Sequence, residues 1–272
     1  MCCISNKKFD LKKVVSLHIY PIKGMQGVSV KTAKTLERGF EFDRRYMLIN
    51  AEGTFISQRT HPDLVFFYPS IVDNQLRVSY KGVEFNISLA ESLGNDVEAT
   101  LFEHHIQATE VSAKANMWFS KYLNEPVRLV KMEEKDIRYK DLIKGPDKVM
   151  VSFADGYPYL IAGTASLDRL NEQLESPVPM NRFRPNIVVK TTVPHEEDDW
   201  ENIRIGKSSF LVIKPCARCP VVTVDQENSI KSKEPLKTLA KYRKRKNMVF
   251  FGANAISRDQ KEVYIGDEVV VL

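Results

Sequence analysis

Cysteine is scarce in this chain of 272 residues: four occur, at Cys2, Cys3, Cys216 and Cys219. Two close pairs, most of the chain apart, make a poor disulfide framework and argue for a reducing compartment. Long apolar runs are missing too, and nothing approaches the roughly 18 residues that a membrane-spanning helix needs. The opening MCCISNKKFDLKK has no apolar signal core, and Asp10 without an arginine argues against an organelle transit peptide. Cys2 and Cys3 are candidates for palmitoylation, but no amphipathic or membrane-spanning element accompanies them. A cytoplasmic protein is expected. Excess charge is small, with 40 Lys and Arg against 35 Asp and Glu, and this excludes a strongly polyionic chain. Hydrophobic residues at 43% and charged residues at 28% exclude intrinsic disorder and collagen. The chain is long enough to bury a full core without disulfides or a structural metal, as one large domain or two moderate ones.

Strand signals outnumber helix signals. Val15, Leu17 and Ile19 alternate with polar residues until Pro21 stops the run. Arg45–Ile49 and Thr54–Gln58 flank a turn at 50–53. Strands are expected at Leu64–Val72, Gln75–Tyr80 and Val83–Ser88, and a single bent strand at Ala99–Val111. Ser112 is placed to cap a helix over Ala113–Leu123, Thr164 or Ser166 a second, and Pro235 to open a third. Further strands are expected at Val127–Met132, Asn186–Lys190, Phe210–Lys214, Val221–Asp225 and Met248–Ala253, then an alternating end through Val271. The pattern is that of a mostly β chain with few helices (α+β), its short strands spaced as in a barrel or tightly curved sheet. The best boundary lies between about Asn124 and Gly145, which gives regions 12–125 and 126–272.

Two charge clusters stand out. His195–Glu201 (HEEDDWE) holds five carboxylates but lacks the glycine turn and ligand spacing of a calcium loop, so it reads as a solvated acidic loop. Lys231–Lys246 holds eight basic residues and one acid, which suits a helix with one basic face or contact with an acidic redox partner. Without interleaved aromatics, nucleic acid is not expected.

The informative segment is Lys214–Asp225, KPCARCPVVTVD. A zinc knuckle would need two more suitably spaced ligands, but His18, His61, His104, His105 and His195 are scattered. A thioredoxin-like motif should open a helix, whereas Pro220 and a β-branched run follow here. Two packed small hydrophobes at a strand start remain possible on the residues alone. Arg218 between the cysteines and Lys214 upstream would favour the thiolate, the form that binds metal or attacks.

KPCARCPVVTVD resembles the cysteine segment of the MOSC family, named for the C-terminal domain of molybdenum cofactor sulfurases, and within it the amidoxime-reducing group and its bacterial relatives. YPIKGMQGVSV (Tyr20–Val30), DRRYMLIN (Asp43–Asn50), NRFRPNIVV (Asn181–Val189) and the closing FGANAI and IGDEVVVL resemble further family segments in order. The resemblance runs from about residue 12 to 272. It implies a MOSC β-barrel domain after an N-terminal β-rich MOSC-N domain, and a molybdenum cofactor whose metal takes one protein thiolate.

Carried over residue by residue, that thiolate falls on Cys219. Lys23, Arg44, Arg184 and Arg218 match basic positions for the cofactor's phosphate and pterin, where arginine forks suit phosphate. Asn186 matches an amide contact to the pterin. Asp155 matches a carboxylate on the substrate side, placed to orient an N-hydroxylated compound or relay a proton, although an Asp-Gly turn explains it as well. The implied activity is two-electron reduction of N–OH to N–H. The alternatives are a cofactor or sulfur carrier with a cysteine persulfide, and a binding module that has lost the cofactor. Gly24, Gly156-Tyr157 and Ala217 stand where relatives carry hydroxyls. No counterpart is read for the ferredoxin-like domain or the membrane anchor of some members. Electrons are therefore expected from a separate haem, flavin or iron–sulfur protein.

Overall fold

A computed structural model of the chain describes residues 11–143 and 147–272. Cys2, Cys3 and Asp10 lie outside the described residues. Strands dominate, with three α-helices and short 3-10 turns among them.

The largest sheet is mixed. Its neighbours in order are Val28–Val30, Val14–Ile19, Ile187–Val189, Tyr159–Gly163, Met248–Ser257, Ser208–Ala217, Asn202–Ile205 and Val269–Val271. Tyr159–Gly163 and Ile187–Val189 run parallel, and the other pairs along the path are antiparallel. The sheet curls until its last strand reaches the start of the chain's first strand, Val14–Ile19: the Val269 N–H donates to the Lys12 carbonyl at 2.8 Å and the Gly266 N–H to that of Val14 at 2.8 Å. The contact is an isolated bridge, so the expected barrel is a curled, open sheet rather than a closed ring of ladders. Inside it pack Leu17, Phe40, Tyr159, Ile187, Phe210 and Ala253. The first strand departs from the simple alternation. A bulge between Val14 and Ser16 buries Val14 and leaves Val15 40% exposed, because one extra residue switches the face of what precedes it.

A second sheet orders Tyr46–Asn50, Val127–Lys131, His104–Glu110 and Asp96–Leu101, and a meander joins Phe67–Val72, Gln75–Tyr80 and Val83–Ser88. Helix α1, Ala113–Leu123, closes their core with buried Ala115 and Phe119. The Ser112 Oγ caps it by accepting from the Ala115 N–H at 3.4 Å, and Asn124 ends it in the left-handed region. Helix α2, Thr164–Asn171, starts from Gly163 without a side-chain cap; Ser166 instead donates to buried Glu197. Helix α3, Leu236–Arg243, follows Pro235.

Four expectations change. Leu64–Phe66 belongs to a 3-10 turn over Pro62–Phe66, and the strand expected from Leu64 begins at Phe67. Ala99–Val111 is a hairpin of two strands that turns at Phe102-Glu103. Val221–Asp225 is not a strand: Pro220 opens a 3-10 turn over Pro220–Thr223, and the Thr223 hydroxyl donates back to the Pro220 carbonyl at 2.7 Å. The acidic loop is only partly solvated. Glu197 is buried, accepting from the Gly163 N–H at 3.2 Å, and Asp198 pairs with Arg243 and Arg245 of the basic stretch.

Candidate functional site

Loops from both sheets meet in one cleft of about 1270 Å³. Lys23, Arg44, Asp155, Arg184, Asn186, Arg218 and Cys219 all line it, although they are scattered over nearly 200 positions of sequence. Nine lysines and arginines line the cleft against three aspartates, so its field favours an anionic ligand.

Tyr20 organises the cationic floor. The Arg44 guanidinium lies 4.5 Å from its ring centroid and that of Arg184 4.2 Å. The Tyr20 hydroxyl donates to the Pro185 carbonyl at 3.1 Å, and burial pushes its pKa up to about 12 against the opposing charge of Arg184 and Arg44. Arg44 and Arg184 both adopt left-handed backbone, with φ of 51° and 54°, a conformation costing on the order of 1 kcal/mol for a residue with a Cβ. Such strain collects at sites where geometry matters more than stability. Arg44 is held by Asp43, which also accepts from the Tyr20 N–H at 2.8 Å. Arg184 donates to the Met25 carbonyl at 2.7 Å; burial, with Arg44 nearby, brings its pKa down to about 10.

Asn186 is a structural tie as well as a lining residue. Its Oδ1 accepts from the Leu160 N–H and from Arg44, each at 3.2 Å, and its Nδ2 donates to the His18 carbonyl at 3.2 Å. One Nδ2 hydrogen is left for a ligand. Asn186→Ala should therefore cost about 1–3 kcal/mol by stranding buried partners. At roughly 2–4 °C per kcal/mol for a chain of this size, calorimetry should show a Tm drop of several degrees. An unchanged Tm would confine Asn186 to ligand contact.

The cysteine segment joins two elements. Cys216 ends the strand Ser208–Ala217, and Cys219 precedes the Pro220–Thr223 turn. Both are free thiols, half-buried. The Arg218 Nη1 donates to the Cys216 Sγ at 3.1 Å and its Nη2 to the Phe183 carbonyl at 2.7 Å, while its Nε is buried without a partner. The strand pairs antiparallel with both neighbours, so the parallel βαβ context of a thioredoxin-like motif is not present here. Among the described residues no cluster of three His, Cys, Asp or Glu is placed to hold a metal.

Lys23 and Asp155 face each other as an ion pair, and the Lys23 Nζ also donates to the Phe153 carbonyl at 2.8 Å. Burial lowers the Lys23 pKa, with Asp155 opposing. For Asp155, the cleft walls push the pKa up, but the charge and hydrogen bond of Lys23, then Arg44 and Arg59, outweigh them and hold it down. The Lys23 side chain is 9% exposed and that of Asp155 52%, so the carboxylate stays ionised and open to the cleft. Gly24 has φ +86° and a Cβ there would meet Leu64 Cδ1 at 3.2 Å, so the backbone itself accounts for the missing hydroxyl.

Residues outside the sequence-based set also line this cleft or, like buried Tyr20, support its floor. Tyr20 lies in the YPIKG segment but gave no chemical signal of its own. Arg138, Arg59, Phe55 and Phe102 line the cleft without any motif to mark them.

Residues 11–126 match the MOSC N-terminal beta barrel domain, and residues 148–270 match the MOSC domain. The chain belongs to the MOSC family. Among its relatives, mitochondrial amidoxime reducing component 2 of Bos taurus is 34% identical over 85% of this chain and 72% of its own length. Mitochondrial amidoxime-reducing component 1 of Xenopus laevis is 30% identical over 85% and 71%. The molybdenum cofactor sulfurase of Oryza sativa subsp. japonica is 30% identical over 87% of this chain, which spans only 31% of the sulfurase. Among the described residues of this MOSC chain, no helix is long and apolar enough to cross a membrane.

Proposed function

We propose that this MOSC protein is a molybdenum-cofactor-dependent reductase of N-hydroxylated compounds. The observation that carries the reading is the convergence of a free thiol pair and a cationic floor in one cleft. The residues fit the group. Arg218 Nε and Arg138 Nη2 are buried donors without acceptors, and each leaves a desolvation cost that an anionic ligand would relieve. A soft thiolate suits a metal already held by dithiolene sulfur. Cys219 would be the protein's ligand to molybdenum; Lys23, Arg44, Arg184, Arg218 and Asn186 would hold the phosphate and pterin. When bound, the group would supply two-electron redox chemistry suited to reducing N–OH to N–H.

The protein's own part follows from the cleft. An ionised Asp155 accepts a hydrogen bond from the substrate N–OH and orients it. Lys23 keeps that carboxylate ionised. The relatives named for amidoxime reduction support an N-hydroxylated substrate and a separate electron donor; a haem, flavin or iron–sulfur protein is the donor we propose.

Two experiments test this reading. Purified protein supplied with reduced viologen dye should reduce a simple amidoxime to the amidine; no turnover by molybdenum-loaded protein would point to a carrier role instead. Arg184→Ala should weaken cofactor retention roughly 10- to 150-fold, the loss of one charge-assisted contact. Its melting curve should fall by no more than a few degrees, since the losses are one hydrogen bond to the Met25 carbonyl and the contact with the Tyr20 ring. Pterin fluorescence after denaturation reports retention, and full retention would misplace the pocket.

A further inference from the structure

The hairpin Asp96–Glu110 turns at a residue the turn does not favour. Phe102 has φ +59°, left-handed backbone at the first central position of a two-residue hairpin loop, where glycine is the preferred residue. The side chain is also 39% exposed and lies outside the buried set of its sheet. The ring is therefore not a core side chain of its own sheet. Phe102 opens instead onto the cleft, beside Phe55 with centroids 4.8 Å apart. The Arg59 guanidinium sits 4.9 Å from the Phe102 centroid, and Lys23 Nζ 5.4 Å from that of Phe55. Ile137 and Tyr139, 57% and 51% exposed, continue this apolar rim along the same cleft. Exposed apolar surface gathered at a cleft mouth marks a binding surface.

We infer that Phe102, Phe55 and Arg59 form a clamp for the flat ring of an aromatic substrate, neutral or anionic, whose N–OH group reaches Asp155. The inference rests on the reductase reading and narrows its substrate class. Volume allows it: about 1270 Å³ exceeds the roughly 300–1,000 Å³ that a single ligand pocket takes. Rings stack on phenyl and guanidinium planes, so a conjugated ring fits this wall better than an alkyl chain does. Charge narrows the class further. Lys23 and Arg59 flank the rings, and the Lys231 Nζ donates to the Arg59 carbonyl at 2.7 Å, so a ring bearing an ammonium group meets repulsion.

Phe102→Gly separates this role from folding, because glycine suits the turn. With molybdenum-loaded protein, kcat/KM for benzamidoxime should fall roughly 2- to 12-fold, carried by KM. Acetamidoxime, which has no ring, should lose less, so the benzamidoxime-to-acetamidoxime ratio of kcat/KM should fall while Tm holds. Equal losses on both substrates, or a lowered Tm, would make Phe102 structural and overturn the clamp. If the parent protein reduces neither compound, the reductase reading fails, and the clamp is judged by calorimetry with benzoate and acetate, which needs no turnover. Benzoate binding more tightly than acetate, and losing that advantage in Phe102→Gly, supports it; an equal ratio in both proteins overturns it.

Discussion

Cys219→Ala is expected to lose molybdenum and all reductase turnover while keeping its fold. The side chain is half-buried, and the structure records no hydrogen bond from its thiol, so its removal leaves no buried partner stranded. Its backbone carbonyl still accepts from the Val222 N–H at 3.3 Å, which preserves the turn that follows. Cys216→Ala should cost far less. The Cys216 sulfur accepts from Arg218, but that guanidinium remains anchored on the Phe183 carbonyl at 2.7 Å. Elemental analysis and viologen-linked kinetics on both variants check the contrast. Equal loss from the two would replace a single metal ligand with a dithiol mechanism.

Asp155→Asn is expected to purify with normal molybdenum content and a kcat/KM for N-hydroxylated substrates reduced about 10- to 100-fold, the scale of a lost charge-assisted hydrogen bond. The pairing with Lys23 decides the sign of the pH dependence. Asp155 has its pKa held below the ordinary carboxylate value, so the active form is the ionised one. Its advantage is fully present above about pH 4, the ordinary carboxylate pKa, and is lost as pH falls through the lowered folded value. The ratio of parent to variant kcat/KM should thus hold constant from about pH 8 to 5 and shrink below about pH 4. A ratio that falls as pH rises through neutrality would instead make Asp155 a proton donor. Unchanged kcat/KM would return it to a turn former, and lost molybdenum would place it among the cofactor contacts.

Much of the site was legible because its chemistry is carried by short local segments. Lys23 and Arg44 lie in segments marked by their resemblance to the family, and Arg218 is marked as well by its place inside the cysteine pair. Phe210–Lys214 of the large sheet was legible for the same reason, since period-two burial is a local signal. Val28–Val30, Tyr159–Gly163 and Asn202–Ile205 were not anticipated, and Tyr159–Gly163 is buried throughout with no alternation to read. What stayed hidden depends on long-range contact or on backbone conformation. Tyr20 matters because two arginines 140 positions apart close on its ring, which no local pattern records. Glu197 is buried because Ser166 and Gly163 reach it across the fold, and an acidic run in sequence reads as solvated. Val221–Val224 carries strand-forming side chains, yet Pro220 fixes the local backbone first. Phe102 was missed because a turn normally shows itself by glycine or asparagine.

The most direct test of the central claim is the metal content of the purified full-length protein, made in a host that supplies the cofactor. One molybdenum per chain, accompanied by pterin fluorescence on denaturation and absent from Cys219→Ala, is the predicted result. Stoichiometric zinc, or molybdenum retained undiminished without Cys219, would contradict it.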